Sequence, residues 1–183
     1  MGTEKKQQQE KKAQNGEAGD RPVVIITGSS GLIGSRLTEN LVETYTVVGL
    51  DVVEPDDQPK HASFVECDLT DDDSVEDALQ TIRKKHGDTI ASVVHLAAHY
   101  DFSGEPSEMY RKLTVEGTQR LIESLQNEFE RVEQFVFSSS LLAMKPLDSE
   151  DGALTEASPT RGEWAYPQSK LRAERALKEN HGD

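Results

Sequence analysis

Cysteine occurs once, at Cys67, so the chain can form neither an internal disulfide nor a cysteine-cluster metal site. A lone thiol suits a reducing compartment, and a cytoplasmic location is the expectation. No run of about eighteen apolar residues is present, so nothing in this segment reads as a membrane span. The first residues lack the apolar centre of a signal peptide, and Lys6 stands where a myristoylation signal carries Ser or Thr. Positive charge is scarce: 20 basic residues face 34 acidic ones, for a net charge of −14. Such a surface repels phosphate backbones and anionic bilayers, which argues against nucleic acid and membrane as partners. His95 and His99 have no third ligand at suitable spacing, so no metal site is expected.

What is present begins after a polar leader. Residues 1–21 are rich in Lys, Gln and Glu with no apolar period. Burial there cannot offset the entropy of ordering, and they read as a disordered tail. Residues 22–183 read as one domain. Val23 to Ile26 is a short β-branched run, as expected of a parallel strand buried on both faces. Further strands are expected at Thr46–Leu50, Ala62–Val65, Ile90–Leu96 and Val132–Phe137. Between them lie helical patterns. Ile33, Leu37 and Leu41 share one face. Val75, Leu79 and Ile82 follow Asp71, Asp72 and Asp73, whose charge favours a helix start. A long helix is expected over 106–129, and a last one from Trp164. Gly117 inside the long helix costs about 1 kcal/mol against Ala, which predicts a close backbone approach to the sheet. Alternating strands and helices give an α/β fold: a doubly wound parallel sheet, order 3-2-1-4-5, covered on both faces, with ligand above the carboxyl ends of its central strands.

The motifs fall at those carboxyl ends. Gly28, Gly31 and Gly34 lie between the first strand and the first helix, spaced for a tight turn, a close approach to pyrophosphate and a close helix. The turn residues Gly28, Ser30, Gly31, Leu32, Ile33 and Gly34 are the expected phosphate cradle, since a helix N-terminus binds anions through its own N–H groups. Asp51 ends the second strand, where a carboxylate accepts the ribose hydroxyls of NAD and opposes the 2′-phosphate of NADP. Asp68, followed by Leu69, either meets the adenine or caps the next helix, and spacing alone leaves both readings open. Leu96, Ala97 and Ala98 form a small-residue turn suited to backbone contact with a cofactor.

Together TGSSGLIG (27–34), Asp51, CDL (67–69), HLAA (95–98), VEGT (115–118), FSSS (137–140) and YPQSK (166–170) resemble the extended short-chain dehydrogenases, in their order and spacing. That family includes sugar-nucleotide epimerases and dehydratases and 3β-hydroxysteroid dehydrogenases. The resemblance implies a Rossmann fold, NAD as cofactor and a small-molecule substrate, with homodimerisation open. It places the catalytic group on Ser140, Tyr166 and Lys170, with Ser139 as the fallback serine, and gives Tyr166 and Lys170 cofactor contacts as well. Residues four apart on a helix share a face, and a cation beside a phenol stabilises its phenolate. Tyr166 would then exchange a proton with the substrate oxygen, Ser140 would orient that oxygen, and Lys170 would hold the nicotinamide ribose.

Two departures qualify the match. Thr114 stands where the family commonly carries an Asn that orders the lysine and a water. Family members also continue into a further strand and a substrate lobe, so residues 22–183 read as an incomplete cofactor domain with the C-terminal substrate lobe absent, inactive by itself. The implied function is hydride transfer between nicotinamide and a secondary alcohol or ketone, on a nucleotide sugar or a hydroxysteroid-like substrate. WAYPQSK (164–170) and HYDFSG (99–104) lean towards the latter. The alternative is a non-catalytic NAD(H)-binding module.

Overall fold

The computed structural model describes residues 21–101, 105–147 and 152–181. The tail expected over 1–21 lies outside them except for Arg21, whose guanidinium donates to the Val42 carbonyl at 2.8 Å. Residues 102–104 of the HYDFSG segment also lie outside.

Strands β1 (Val23–Thr27), β2 (Thr46–Asp51) and β3 (Ala62–Glu66) alternate with helices α1 (Leu32–Leu41) and α2 (Asp72–His86). The fourth and fifth strands each arrive in two pieces: β4 (Thr89–Ile90) and β5 (Ser92–His95), then β6 (Arg131–Val132) and β7 (Phe135–Phe137). The main sheet is parallel throughout, in the order β3-β2-β1-β5-β7, which is the order expected from the sequence. β4 and β6 pair with each other. The sequence suggested unbroken strands over 90–96 and 132–137; instead both slip at the same level. Hydrogen bonding continues through the slip, as Ala91 N–H reaches Val23, Glu133 N–H reaches Ile90 and Val93 N–H reaches Gln134. These bonds carry the pairing across the slip, so the sequence carries little sign of it.

Alternation in β1 explains the two faces. Val23 and Ile25 point to one side, with Val48, Leu50 and Val93; α2 and α3 (Gly117–Glu128) close over them with Val75, Leu79, Leu121 and Leu125. Val24, Ile26 and Val47 point to the other, against Leu37 and Leu41 of α1. Coverage on this second face is partial. Among the described residues only α1 stands there, and Val136 of the edge strand β7 is 41% exposed.

The long helix starts later than its apolar pattern suggests, and its first part is π-helical: Tyr110–Glu116, continuing into α3 at Gly117. Gly117 N–H bonds the carbonyl of Lys112, five residues back. A Cβ at Gly117 would sit 3.0 Å from the Leu69 carbonyl oxygen. The close approach expected of this glycine is therefore real, but it faces the loop after β3 rather than the sheet. Arg120 locks the same loop, donating to Leu69 O at 2.7 Å and pairing with Asp72. Helix α4 (Ala165–His181) packs beside the π stretch and α3, which brings its first turn to the carboxyl end of β7.

Candidate active site

The glycine turn is built by backbone contacts that side chains would break. Gly28 has φ +70°, and a Cβ there would lie 2.9 Å from the Ala97 nitrogen. A Cβ at Gly34 would lie 2.2 Å from the Gly28 oxygen, so α1 rests on the turn itself. The N-terminus of α1 has no side-chain cap and no acidic residue in its first turn. Its leading N–H groups thus stay available for an anion. Helix α2 is the contrast: Asp71 accepts from Ser74 N–H at 3.2 Å, with Asp72 and Asp73 behind it. Asp71 is the cap, which removes that reading from Asp68. Asp68 instead accepts from Thr70 through both its N–H (2.8 Å) and its hydroxyl (2.7 Å).

Asp51 is half-buried and ties the glycine turn to the loop after β2. It accepts from Ser30 N–H at 3.1 Å, Val52 N–H at 2.8 Å and Val53 N–H at 3.4 Å. A carboxylate has about four acceptor sites, which leaves room for a ribose hydroxyl. The Ser30 hydroxyl donates to the Val53 carbonyl and so braces the same loop.

These groups surround a cavity of about 470 Å³. Of the residues singled out in the sequence, Gly28, Gly31, Asp51, Asp68, Leu69, Leu96, Ala97 and Ala98 line it. Ser30, Leu32, Ile33 and Gly34 do not. Gly34 is buried in the turn, while Leu32 and Ile33 turn their side chains outward, 83% and 65% exposed. Sequence reasoning missed Leu50, Val52, Cys67, Thr70, Met109 and Leu113 in the lining. Most adjoin a motif; Met109 and Leu113 face the cavity from the start of the long helix, Leu113 within its π stretch. Burial, then the charges of Asp68 and Asp51, push the Cys67 thiol up to about 12.

Behind the cavity runs a buried hydrogen-bond chain. Ala97 N–H donates to Thr27 Oγ1 at 3.2 Å, and Thr27 Oγ1 lies 2.6 Å from His95 Nδ1. His95 Nε2 lies 2.9 Å from Thr118 Oγ1, which donates to the Thr114 carbonyl at 2.6 Å. Because Thr118 gives its proton to Thr114, it accepts from His95, whose proton then sits on Nε2 and whose Nδ1 accepts from Thr27. One neutral tautomer satisfies every link. Burial, then the nearby charge of Lys170, hold His95 down to about 3. His95 is a clamp for the Ala97 turn, with both ring nitrogens committed to threonine hydroxyls. Thr114 is fully buried and its hydroxyl accepts from His99 N–H at 3.1 Å, so this departure from the family pattern positions the next loop.

The serines after β7 divide their tasks. The Ser138 carbonyl accepts from the Lys170 ammonium at 2.8 Å. The Ser139 hydroxyl turns to Glu174 on α4, which weakens it as the fallback. Ser140 accepts from Leu142 N–H at 3.2 Å and opens a short 3₁₀ turn, Leu141–Ala143. Tyr166 sits in the first turn of α4, where Pro167 requires no N–H partner. Lys170 is only 2% exposed, 4.8 Å above the Phe137 ring and 6.0 Å from the Tyr166 ring. Burial pulls its ammonium down to about 8, against a smaller opposing pull from Glu174. The spacing of Tyr166 and Lys170 does put both on one face. No direct hydrogen bond joins Ser140 to Tyr166 among the described residues.

A model of the NAD dependent epimerase/dehydratase family matches residues 24–182. A 3-beta-hydroxysteroid dehydrogenase of Mycolicibacterium neoaurum is 31% identical over 170 residues, covering 87% of this chain and 43% of that protein. A dihydroflavonol 4-reductase of Gerbera hybrida is 33% identical over 135 residues, covering 66% of this chain and 34% of that protein. The structure of the Thermus thermophilus UDP-glucose 4-epimerase in complex with NAD superposes with a TM-score of 0.73 at 27% identity, covering 86% of this chain and 50% of that one. The chain spans about half the length, or less, of the relatives it matches.

Proposed function

This chain belongs to the NAD dependent epimerase/dehydratase family, and from that premise we propose that it is the cofactor-binding part of an oxidoreductase acting on a secondary alcohol or ketone. One observation carries the reading. The glycine turn, Asp51 and the Ala97 turn converge on a single cavity beside an uncapped, acid-free helix start. That donor set fits a dinucleotide: N–H groups for the pyrophosphate and a carboxylate for the adenosine ribose. When bound, NAD supplies a hydride acceptor.

The chain's residues do the rest. Gly31, having no side chain, lets the phosphates approach the first N–H groups of α1, and Asp51 receives the ribose. His95 fixes the Ala97 turn that walls the cavity. Lys170, held by Ser138, keeps a positive charge beside Tyr166 and reaches towards the ribose on the reactive side. Tyr166 moves the proton at its hydroxyl oxygen, and Ser140 orients the substrate oxygen. The substrate at this level is either a nucleotide sugar or a hydroxysteroid-like alcohol. The reducing setting of a cytoplasm suits the buried thiol of Cys67.

We propose no turnover for the 183 residues by themselves. Ser140 and Tyr166 are only half-buried, and Leu141 and Leu142 beside Ser140 are 74% and 48% exposed, so water reaches the reacting atoms. Turnover tests the reading directly. With a form extended to the length of its relatives, Tyr166→Phe should abolish NAD-dependent oxidation of a secondary alcohol while NAD affinity holds. Near-normal turnover in that variant would remove Tyr166 from the chemistry, and no turnover in the unsubstituted extended form would leave the non-catalytic binding module.

A further inference from the structure

A second cavity, of about 210 Å³, lies on the α1 face of the sheet and shares no lining residue with the cofactor cavity. Its floor is β2 and β3. Gly49 is level with Ile26 and with Phe64, and Ala62 is level with Val47, so alternation turns all of them to that face. Ser29, from the back of the glycine turn, lies over Gly49: a Cβ on Gly49 would stand 2.5 Å from Ser29 Oγ. Ser29 is only 6% exposed, yet its hydroxyl has no hydrogen-bond partner. A buried hydroxyl left in that state is unfavourable, and a ligand that reached it would relieve the loss.

The rest of the lining selects the ligand's charge and shape. Ser35 and Thr38 on α1 give their hydroxyl protons to the carbonyls of Leu32 and Gly34, at 3.2 and 2.9 Å, so towards the cavity they can only accept. Glu39 and Asp57 stand exposed at the mouth. Arg36 holds Glu39 at 2.8 Å, but both side chains are more than half exposed, and such a pair yields readily to another cation. These groups repel an anion and favour a ligand that brings N–H or O–H donors and positive charge. Phe64, Pro55 and Pro59 supply apolar walls suited to a ring. An apolar cavity of about 150 Å³ holds benzene, so this one has room for a single ring with short substituents. We propose that the cavity is a second ligand site for a small aromatic amine, with its ring against Phe64, its ammonium at the mouth and a hydroxyl on Ser29. Nothing in this site depends on Tyr166 or on turnover.

Calorimetry on the full chain tests the site with three probes. Tyramine carries all three features, phenethylamine lacks the hydroxyl, and 4-hydroxyphenylacetate replaces the ammonium by a carboxylate. We expect tyramine to bind with a Kd below about 1 mM, and at least about tenfold more tightly than 4-hydroxyphenylacetate. Ser29→Ala should weaken tyramine about threefold to tenfold and leave phenethylamine unchanged. Its Tm should not fall, since the hydroxyl removed has no partner in the free protein. Asp57→Asn should weaken both amines about twofold. Saturating NAD should leave tyramine bound, because the two cavities have no residue in common. The assignment is overturned by no tyramine binding at about 1 mM or by equal affinity for the carboxylate. It is overturned equally by a Ser29→Ala variant that melts lower or binds tyramine as wild type does, and by displacement of tyramine by NAD.

Discussion

Replacing Lys170 by Met should make the protein more stable at neutral pH, and the gain should vanish in alkali. The ammonium is 2% exposed and accepted by one carbonyl, at 2.8 Å. Its fall from 10.5 to about 8 means that the folded protein carries the charge at a cost of about 3 kcal/mol below pH 8. Met fills similar volume without charge, but leaves the Ser138 carbonyl without this donor, a loss of about 1–2 kcal/mol. The net gain at pH 7 is then about 1–2 kcal/mol, or roughly 2–8 °C in Tm for a domain of this size. The pH dependence follows from proton counting. Between pH 8 and 10.5 the unfolded lysine holds a proton that the folded one has released, so wild-type stability rises with pH across that window. The variant lacks this term. Paired thermal melts at pH 7 and pH 10 should therefore show Lys170→Met ahead at pH 7 and level or behind at pH 10. Other titrating groups are common to both proteins and cancel in the difference. A variant less stable than wild type at pH 7, or a gap that does not change with pH, would refute the reasoning. A stabilising loss at this position is what a functional charge predicts, because its retention is then explained by chemistry and not by folding.

NAD should bind more tightly than NADP, since the Asp51 carboxylate would face the 2′-phosphate; equal affinities in paired titrations would count against the placement of the ribose. Asp51→Asn should narrow that preference and also loosen the glycine turn, because an amide accepts through one oxygen where Asp51 uses both. Cys67 should resist alkylation at pH 8 in the folded protein, as a thiol near 12 is thiolate in only about one part in ten thousand there; rapid labelling by iodoacetamide would show the cavity to be more open. His95 should contribute to acid unfolding: its folded value near 3 lies below the ordinary 6.5, so the unfolded chain takes up a proton first and stability falls from pH 6.5 towards 3. His95→Leu, read by melts at pH 7, should cost about 2–4 kcal/mol by stranding Thr27 and Thr118.

Strand order was legible because apolar runs and their turn residues are local signals, and the right-handed winding of parallel connections leaves few alternatives. The same is true of Gly28 and Gly34, where the backbone approaches so closely that no other residue fits. What stayed hidden depends on distant groups. Asp51 reads in the sequence as a ribose acceptor, yet in the fold it also holds Ser30 and the loop through Val53. The π register of 110–116 follows from Gly117 meeting the Leu69 carbonyl, a contact between segments forty-eight positions apart (117 − 69) that no periodicity records. Tyr100 and Trp164 lie in the HYDFSG and WAYPQSK segments, but nothing in either segment says that they meet. Only the packing of α4 beside the π stretch brings their rings together.

His95 shows how a motif residue can be essential to a site without touching the chemistry. The sequence offers an imidazole at the end of a strand beside a cofactor turn and gives it no task. The structure supplies two threonine hydroxyls, one on each ring nitrogen, and a proton order in which His95 Nε2 donates and Nδ1 accepts. A ring held at both ends in low dielectric cannot gain a proton without breaking one of those bonds, which is why its affinity for protons collapses. Lys170 adds a positive charge close by and lowers it further. The two groups thus fix each other's character. The site keeps one cation, on Lys170 beside Tyr166, and a neutral His95 behind it prevents a second charge from competing for the same buried volume. That division supports the proposal that Tyr166 carries the proton chemistry, since it is the one of the three that is not fully buried.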